Sequence, residues 1–196
     1  MKIIKTSLPN NSVLNTSQKN YDFSDSFESV FKDSQNTINI TEIGKAFFTS
    51  GPKWVDNLFS LRNKIVSVFG LKTPGKVTNR AKQLELFKCN PGEQLGLFKV
   101  FSKNENEVIL GEDDKHLNFR ISIFVNQSKE ETKKKHLIIS TTVEYNNWFG
   151  KLYFLPVRPF HKLIVPTMLK GIIRKLEKEN IVRTNHKYAR KVKNGK

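Results

Sequence analysis

The stretch His116-Leu-Asn-Phe-Arg-Ile-Ser-Ile-Phe-Val-Asn126 decides the fold, and His136-Leu-Ile-Ile-Ser-Thr-Thr-Val-Glu-Tyr-Asn146 repeats its message. In the first, Leu117, Phe119, Ile121, Ile123 and Val125 fall on one side of an extended chain. In the second, Leu137, Ile139, Thr141, Val143 and Tyr145 do the same. Successive side chains of a strand point to opposite faces, so a period of two predicts two strands, each with one apolar face. The charged residues 127–135 read as the turn between them. Upstream, residues 94–102 and 107–112 read as another hairpin around Asn104-Glu-Asn106. Four consecutive antiparallel strands with one apolar face need a cover.

The cover lies downstream. From about residue 148 to 179, steps of about 100° per residue gather Ile164, Val165, Met168, Leu169, Ile172 and Leu176 on one side of a long helix. Lys162, Lys170, Arg174 and Glu177 occupy the other. Pro156, Pro159 and Pro166 predict a kink or a break, because each lacks a donor and crowds the preceding turn. On the N-terminal side, residues 21–31, whose Phe23, Phe27 and Phe31 recur at four, fit strand or helix and are read as a first strand, and residues 34–40 as a turn or short segment. Thr41 reads as the N-cap of a helix, with Glu42 in its first turn and Ala46, Phe47 and Phe48 as its apolar face. Ser50-Gly-Pro52 ends it, and a second amphipathic helix is expected over 52–69, carrying Trp54, Val55, Leu58, Leu61 and Ile65. Residues 71–91 are mixed and polar. The fold class is therefore α+β, an antiparallel sheet covered by a long C-terminal helix, with two short helices after the first strand. Residues 1–20 are expected as an extended or disordered arm, 21–180 as a single domain, and 181–196 as a basic tail.

The formal net charge is +16, and residues 170–196 hold ten Lys and Arg beside Glu177 and Glu179, a net +8. Such an end attracts the phosphates of nucleic acid or an anionic lipid surface, or simply keeps the chain in solution. No nucleic-acid-recognition motif or interleaved aromatic platform accompanies it, so specific nucleic-acid recognition is not expected. No run approaches the roughly 18 apolar residues of a membrane span. Met1-Lys-Ile-Ile-Lys-Thr lacks the apolar segment of a secretory signal. Cys89 is the single cysteine, so no intrachain disulfide forms, which fits a reducing cytoplasm. One Cys and four scattered His argue against a zinc site, and no phosphate loop or dinucleotide fingerprint is present. No metal and no cofactor are expected.

Two groups of side chains carry chemistry. Asp113, Asp114, His116 and Arg120 cluster at the entrance of a strand whose apolar face is the opposite one. They read either as a carboxylate–histidine pair at the mouth of a cavity or as a turn clamped by ion pairs, with His116 and Arg120 outward. Arg158 and His161 fall near the centre of the apolar stripe if the last helix is continuous, where a cation needs an acidic partner or a bound anion. Glu144, Asp113 and Asp114 are the candidate partners. Tyr145, Trp148, Phe149, Tyr153 and Phe154 cluster where the last strand meets the helix, as core or as a ligand entrance.

Four blocks, Gly51-Pro-Lys-Trp-Val, Leu61-Arg-Asn-Lys, Leu110-Gly-x-Asp-Asp-x-His-Leu-x-Phe-Arg and Val157-Arg-Pro-Phe-His-Lys-Leu-Ile-Val, resemble the bacterial domain-of-unknown-function family 2867. The resemblance runs from about Tyr21 to about Leu176, with Pro156 atypical in the last block. It implies the START-like, birch-pollen-allergen-like helix-grip superfamily (SRPBCC), in which a curved antiparallel sheet grips a long helix around a hydrophobic cavity. Its members include lipid and hormone binders and aromatase/cyclases, and fold alone does not choose among them. The leading expectation is binding of a small apolar or amphipathic molecule, with Arg158, His161, Tyr145, Phe119, Ile121 and Met168 as ligand contacts. The alternatives are a cyclase-, dehydratase- or isomerase-like enzyme using His161, His116, Asp113 or Asp114, and binding of an anionic partner through the basic end. Oligomeric state is not legible.

Overall fold

A computed structural model describes residues 1–15, 20–55, 57, 58, 60, 80–127 and 133–194, the side chains of 80 and 184–194 excepted. Its elements are β1 (Ile4–Thr6), β2 (Phe23–Lys32), α1 (Ile40–Thr49), α2 (Arg80–Leu86), β3 (Gln94–Leu95), β4 (Phe98–Lys103), β5 (Glu107–Asp113), β6 (Leu117–Gln127), β7 (Lys134–Tyr145) and α3 (Trp148–Asn194). The seven strands form one curved, unclosed antiparallel sheet in the order β1-β2-β7-β6-β5-β4-β3. The fold class is the α+β arrangement the sequence predicts.

Alternation explains how the sheet is filled. Phe27 and Phe31 of β2 share an inner face with Leu137 and Ile139 of β7, Ile123 and Val125 of β6, and Val108 and Leu110 of β5. Against this face pack Ile43 and Phe47 of α1 and Leu169, Ile172, Ile173 and Leu176 of α3, all buried. The long helix is held at two points of backbone contact. A Cβ on Gly150 would lie 1.9 Å from the carbonyl oxygen of His116, and one on Gly171 would lie 2.2 Å from that of Ser50. Only glycine permits either approach.

The outer face carries a buried polar row. Ser26 Oγ donates to Ser140 Oγ at 2.8 Å, and Ser140 stands opposite Ser122 on β6. Ser122 Oγ donates to Glu107 Oε1, which also accepts from Ser12 Oγ at 2.6 Å, while Glu107 Oε2 accepts from the Val13 amide at 2.8 Å. Residues 12 and 13 are thus fastened to the outer face by one carboxylate, while residues 4–6 are held as β1 beside β2 at the sheet edge. At the far end of β2, Asp33 accepts from the amides of Thr37 and Ile38 and pairs with Lys135 Nζ at 2.8 Å. Burial pushes the Asp33 carboxyl up, but the hydrogen bonds from Lys135, Ile38 and Thr37 outweigh it and hold the group below its ordinary range.

Several expectations need correction. The N-cap of α1 is Asn39, not Thr41. Its side chain accepts from the Glu42 amide at 3.0 Å, and the Asn39 amide donates in turn to Glu42 Oε2 at 3.2 Å, a reciprocal capping box. The last helix neither breaks at its prolines nor ends near 179, but runs unbroken to Asn194, so residues 181–194 are helical. Pro156 and Pro159 sit on its exposed side, where water can satisfy the carbonyls they orphan. Residues 94–102, read as one strand, are divided into β3 and β4 by a tight turn at Gly96 and Leu97. The short helix α2 forms within the stretch 71–91, whose mixed polar sequence predicts no element. The helix expected over 52–69 lies mostly outside the described residues, although 53–55 are helical.

Candidate functional site

Phe23, Asp25 and Phe27 are two residues apart on β2 and therefore share its inner face. Directly opposite them on β7 stand Val143, Thr141 and Ile139. The first half of α3 lies over this end of the sheet and brings His161 down onto Asp25, with Nδ1 to Oδ2 at 3.0 Å. The imidazole edge also rests on Phe23, ring centroids 5.7 Å apart at 83°. Phe154 packs on Phe23 at 4.9 Å and Tyr145 on Phe154 at 5.9 Å. Phe23, Leu117, Val143 and Phe154 form an apolar cluster of their own, separate from the main core, with Phe119, Tyr145, Tyr153 and Val157 against it.

A charged group has thus been placed on an apolar face, and it is only half satisfied. Asp25 is buried, yet its Oδ1 has no hydrogen-bond partner among the described residues, and neither has the buried Thr141 Oγ1 across the strand pair. An unpartnered buried oxygen costs about 1–3 kcal/mol, more for a charged group, so it calls for an explanation beyond packing. With a carboxylate on Nδ1, the ring nitrogen left to act on anything else is Nε2, a proton acceptor in the tautomer this contact selects. Nearby, Tyr145 is pushed above the ordinary phenol range by burial and by the Asp22 charge, against a lowering by Arg158, and so keeps its proton as a donor. Asp22 Oδ2 accepts from the Tyr145 amide at 2.6 Å, fixing the strand end.

The acidic turn is built differently. Arg120 Nη2 pairs with Asp113 Oδ1 at 2.7 Å, its Nη1 donates to the Phe119 carbonyl at 2.9 Å, and its guanidinium lies 3.5 Å from the centroid of the Phe101 ring. Asp114 Oδ1 accepts from the Lys115 amide at 2.6 Å. Asn146 Nδ2 donates to the Asp114 carbonyl at 2.6 Å and Asn147 Nδ2 to the Lys115 carbonyl at 3.0 Å, while Asn147 Oδ1 caps α3 by accepting from the Gly150 amide. His116 is not outward, as the alternation suggested. It is buried beneath α3, its ring 4.7 Å from that of Tyr153 and 6.0 Å from that of Phe149. Its Nδ1 lies 3.6 Å from Asp114 Oδ2, beyond hydrogen-bond length. These contacts make a clamp joining the β5–β6 turn to the start of the helix.

The structure therefore brings together only part of the expected set. Tyr145 and Phe119 pack against the small cluster and His161 rests on its Phe23, whereas Ile121 and Met168 pack against the main core. Arg158 is exposed rather than buried in the stripe, with its guanidinium 5.6 Å from the centroid of Phe23. The carboxylate facing His161 is Asp25, and neither Glu144 nor the Asp113–Asp114 pair takes that place. Asp25 was legible in principle, since Phe23-Ser-Asp-Ser-Phe27 puts it on the phenylalanine face if the segment is a strand. Cys89 is buried and its thiol pushed up to about 11 by that burial, so it stays neutral and unreactive near pH 7. Among the described residues no group of three His, Cys, Asp or Glu is placed to hold a metal ion, and no helix is long and apolar enough to cross a membrane.

These features define an α+β protein whose long helix presents a histidine to a buried carboxylate on the covered face of an antiparallel sheet. The chain belongs to the family described as Protein of unknown function (DUF2867), whose model matches residues 17–168. Neither curated proteins nor solved structures yield a match.

Proposed function

We propose that this is a small-molecule-binding protein of the helix-grip, START-like kind, taking an apolar or amphipathic molecule between the first half of α3 and the sheet. The observation that carries the reading is the half-satisfied Asp25, buried with Thr141 Oγ1 on an otherwise apolar face, bonded to His161 through Oδ2 and with no partner for Oδ1 among the described residues. A ligand with an apolar body and one donor group matches that lining, the donor meeting Asp25 Oδ1 and the body resting on Phe23, Phe119 and Tyr145. Native mass spectrometry of protein purified without detergent should show such a molecule released on delipidation and taken up again on addition. Asp25→Asn and His161→Ala should each weaken uptake by about tenfold or more, the loss of one hydrogen bond to a charged group. A protein that takes up no such molecule, or variants that bind as well as the parent, would overturn the proposal.

The same pair favours a second reading, an enzyme of the cyclase, dehydratase or isomerase type. Asp25 would orient the imidazole and His161 Nε2 would accept a proton from a carbon or hydroxyl of the bound molecule. In that case Asp25→Asn lowers turnover far more than it weakens binding, and conversion of the captured ligand is seen by mass. Equal losses in binding and turnover would leave the binding reading alone.

A further inference from the structure

The first half of α3 has a second face, turned away from the sheet, and it is not polar. Trp148, Leu152, Leu155, Phe160 and Leu163 are 48% to 75% exposed. Trp148, Leu152, Leu155, Pro159 and Leu163 follow one another at spacings of four, three, four and four, so they form a single stripe about 22 Å long at the helical rise per residue. Lys151, Arg158 and Lys162, all exposed, run along one edge of it. Between Glu144 and Glu177 the chain contains six Lys and Arg and no Asp or Glu. Exposed apolar side chains scattered singly need no explanation, but four large ones in one stripe, with exposed Phe160 beside it and three cations along one edge, do.

We propose that this face docks the protein on an anionic bilayer surface, with Leu152, Leu155 and Leu163 entering the headgroup–acyl boundary, Trp148 at the interface and Lys151, Arg158 and Lys162 reaching the lipid phosphates. The pattern is that of a helix lying in the membrane plane, apolar on one side and basic at its margin. Charge complementarity selects this occupant. A second copy would bring the same three cations along its stripe and a second net +16, so like charges oppose self-association. A nucleic acid would reward the cations but gives aliphatic leucines nothing to enter. The proposal does not depend on an internal ligand, and the two fail separately.

Sedimentation of the full chain with vesicles tests it. Binding to phosphatidylcholine vesicles containing phosphatidylglycerol should exceed binding to phosphatidylcholine alone on the order of tenfold or more, and should weaken with added salt. Trp148 emission should shift to shorter wavelength on binding, and the shift should vanish in Trp148→Phe while Trp54 remains as the internal reference. The triple variant Leu152→Gln, Leu155→Gln, Leu163→Gln, altered only at exposed helical positions, should keep its unfolding midpoint and lose vesicle binding. Equal binding to neutral vesicles, none to anionic ones, or undiminished binding by the triple variant would overturn the proposal. So would loss of binding on changing Arg183, Lys187, Arg190 and Lys191 to Gln with the leucines intact, since that assigns attachment to the basic end. Binding to a short DNA duplex in preference to anionic vesicles would equally refute it.

Discussion

Two buried carboxylates sit on opposite faces of the same sheet and are treated in opposite ways. Glu107, on the outer face, accepts from Ser12, Ser122 and the Val13 amide, so both of its oxygens are occupied. Asp25, on the inner face, meets His161 through one oxygen and leaves the other without a partner among the described residues. Both groups are desolvated, and an ionised carboxylate is tolerated in such a place only when hydrogen bonds replace its water. Glu107 meets that condition and therefore reads as a fastener. Asp25 does not, and the shortfall on an apolar face under a long helix marks it as a site.

Substitutions can break or sharpen this contrast, and the largest effect belongs to a third carboxylate. Asp33 is fully enclosed with Lys135, so Asp33→Ala strands a buried ammonium and should cost about 3–5 kcal/mol in urea unfolding. Its pH dependence has a definite sign. In the unfolded chain this carboxyl takes up its proton near the ordinary value of 3.8, whereas the folded protein holds it off to lower pH. Its contribution is therefore complete above that ordinary value and is lost as pH falls through the lower folded value, a slope that Asp33→Asn should flatten.

Glu107→Ala comes next. It leaves two hydroxyls and an amide without their acceptor and should cost about 2–3 kcal/mol. Limited proteolysis should then cut within residues 7–15 at protease levels the parent withstands, because Ser12 and Val13 lose their anchor while residues 4–6 stay paired in β1. Asp25→Asn should do much less, less than about 1 kcal/mol in either direction, since it removes a charge that is already poorly compensated. If Asp25→Asn destabilises as strongly as Glu107→Ala, the contrast collapses and Asp25 is a fastener too. The smallest effect concerns Cys89, a buried polar atom tolerated because it stays neutral. At pH 8 the thiol, pushed up to about 11, should resist alkylation in the folded protein and react at once in denaturant.

What the sequence made legible follows from what is local. Alternation in 117–125 and 137–145 delivered β6 and β7, and the apolar stripe from Ile164 to Leu176 delivered the helix that covers them. The cap of α1 lies two residues before the expected Thr41 because Thr41 and Asn39 are both capping types, and only the bond from the Asn39 amide to Glu42 distinguishes them. His161 was singled out from its position on the helix, but its partner stands 136 residues earlier in the chain. Nothing in the spacing of either residue encodes that meeting, because it depends on which strand ends up beneath the helix. Glu107 and Ser12, 95 residues apart, were invisible for the same reason. The phenylalanines at 23, 27 and 31 fit helix and strand alike, and that ambiguity hid Asp25 on their face.

The order of elements along the chain also has a consequence for synthesis. Every strand precedes Trp148, while Leu169, Ile172 and Leu176, which close the inner face, follow it. A nascent chain that has just completed β7 holds a whole sheet whose Phe27, Phe31, Ile123 and Ile139 are roofed only in part, by α1. Folding therefore finishes only when the last long helix leaves the ribosome, and until then the growing polypeptide is a natural client for chaperones that shield apolar surface.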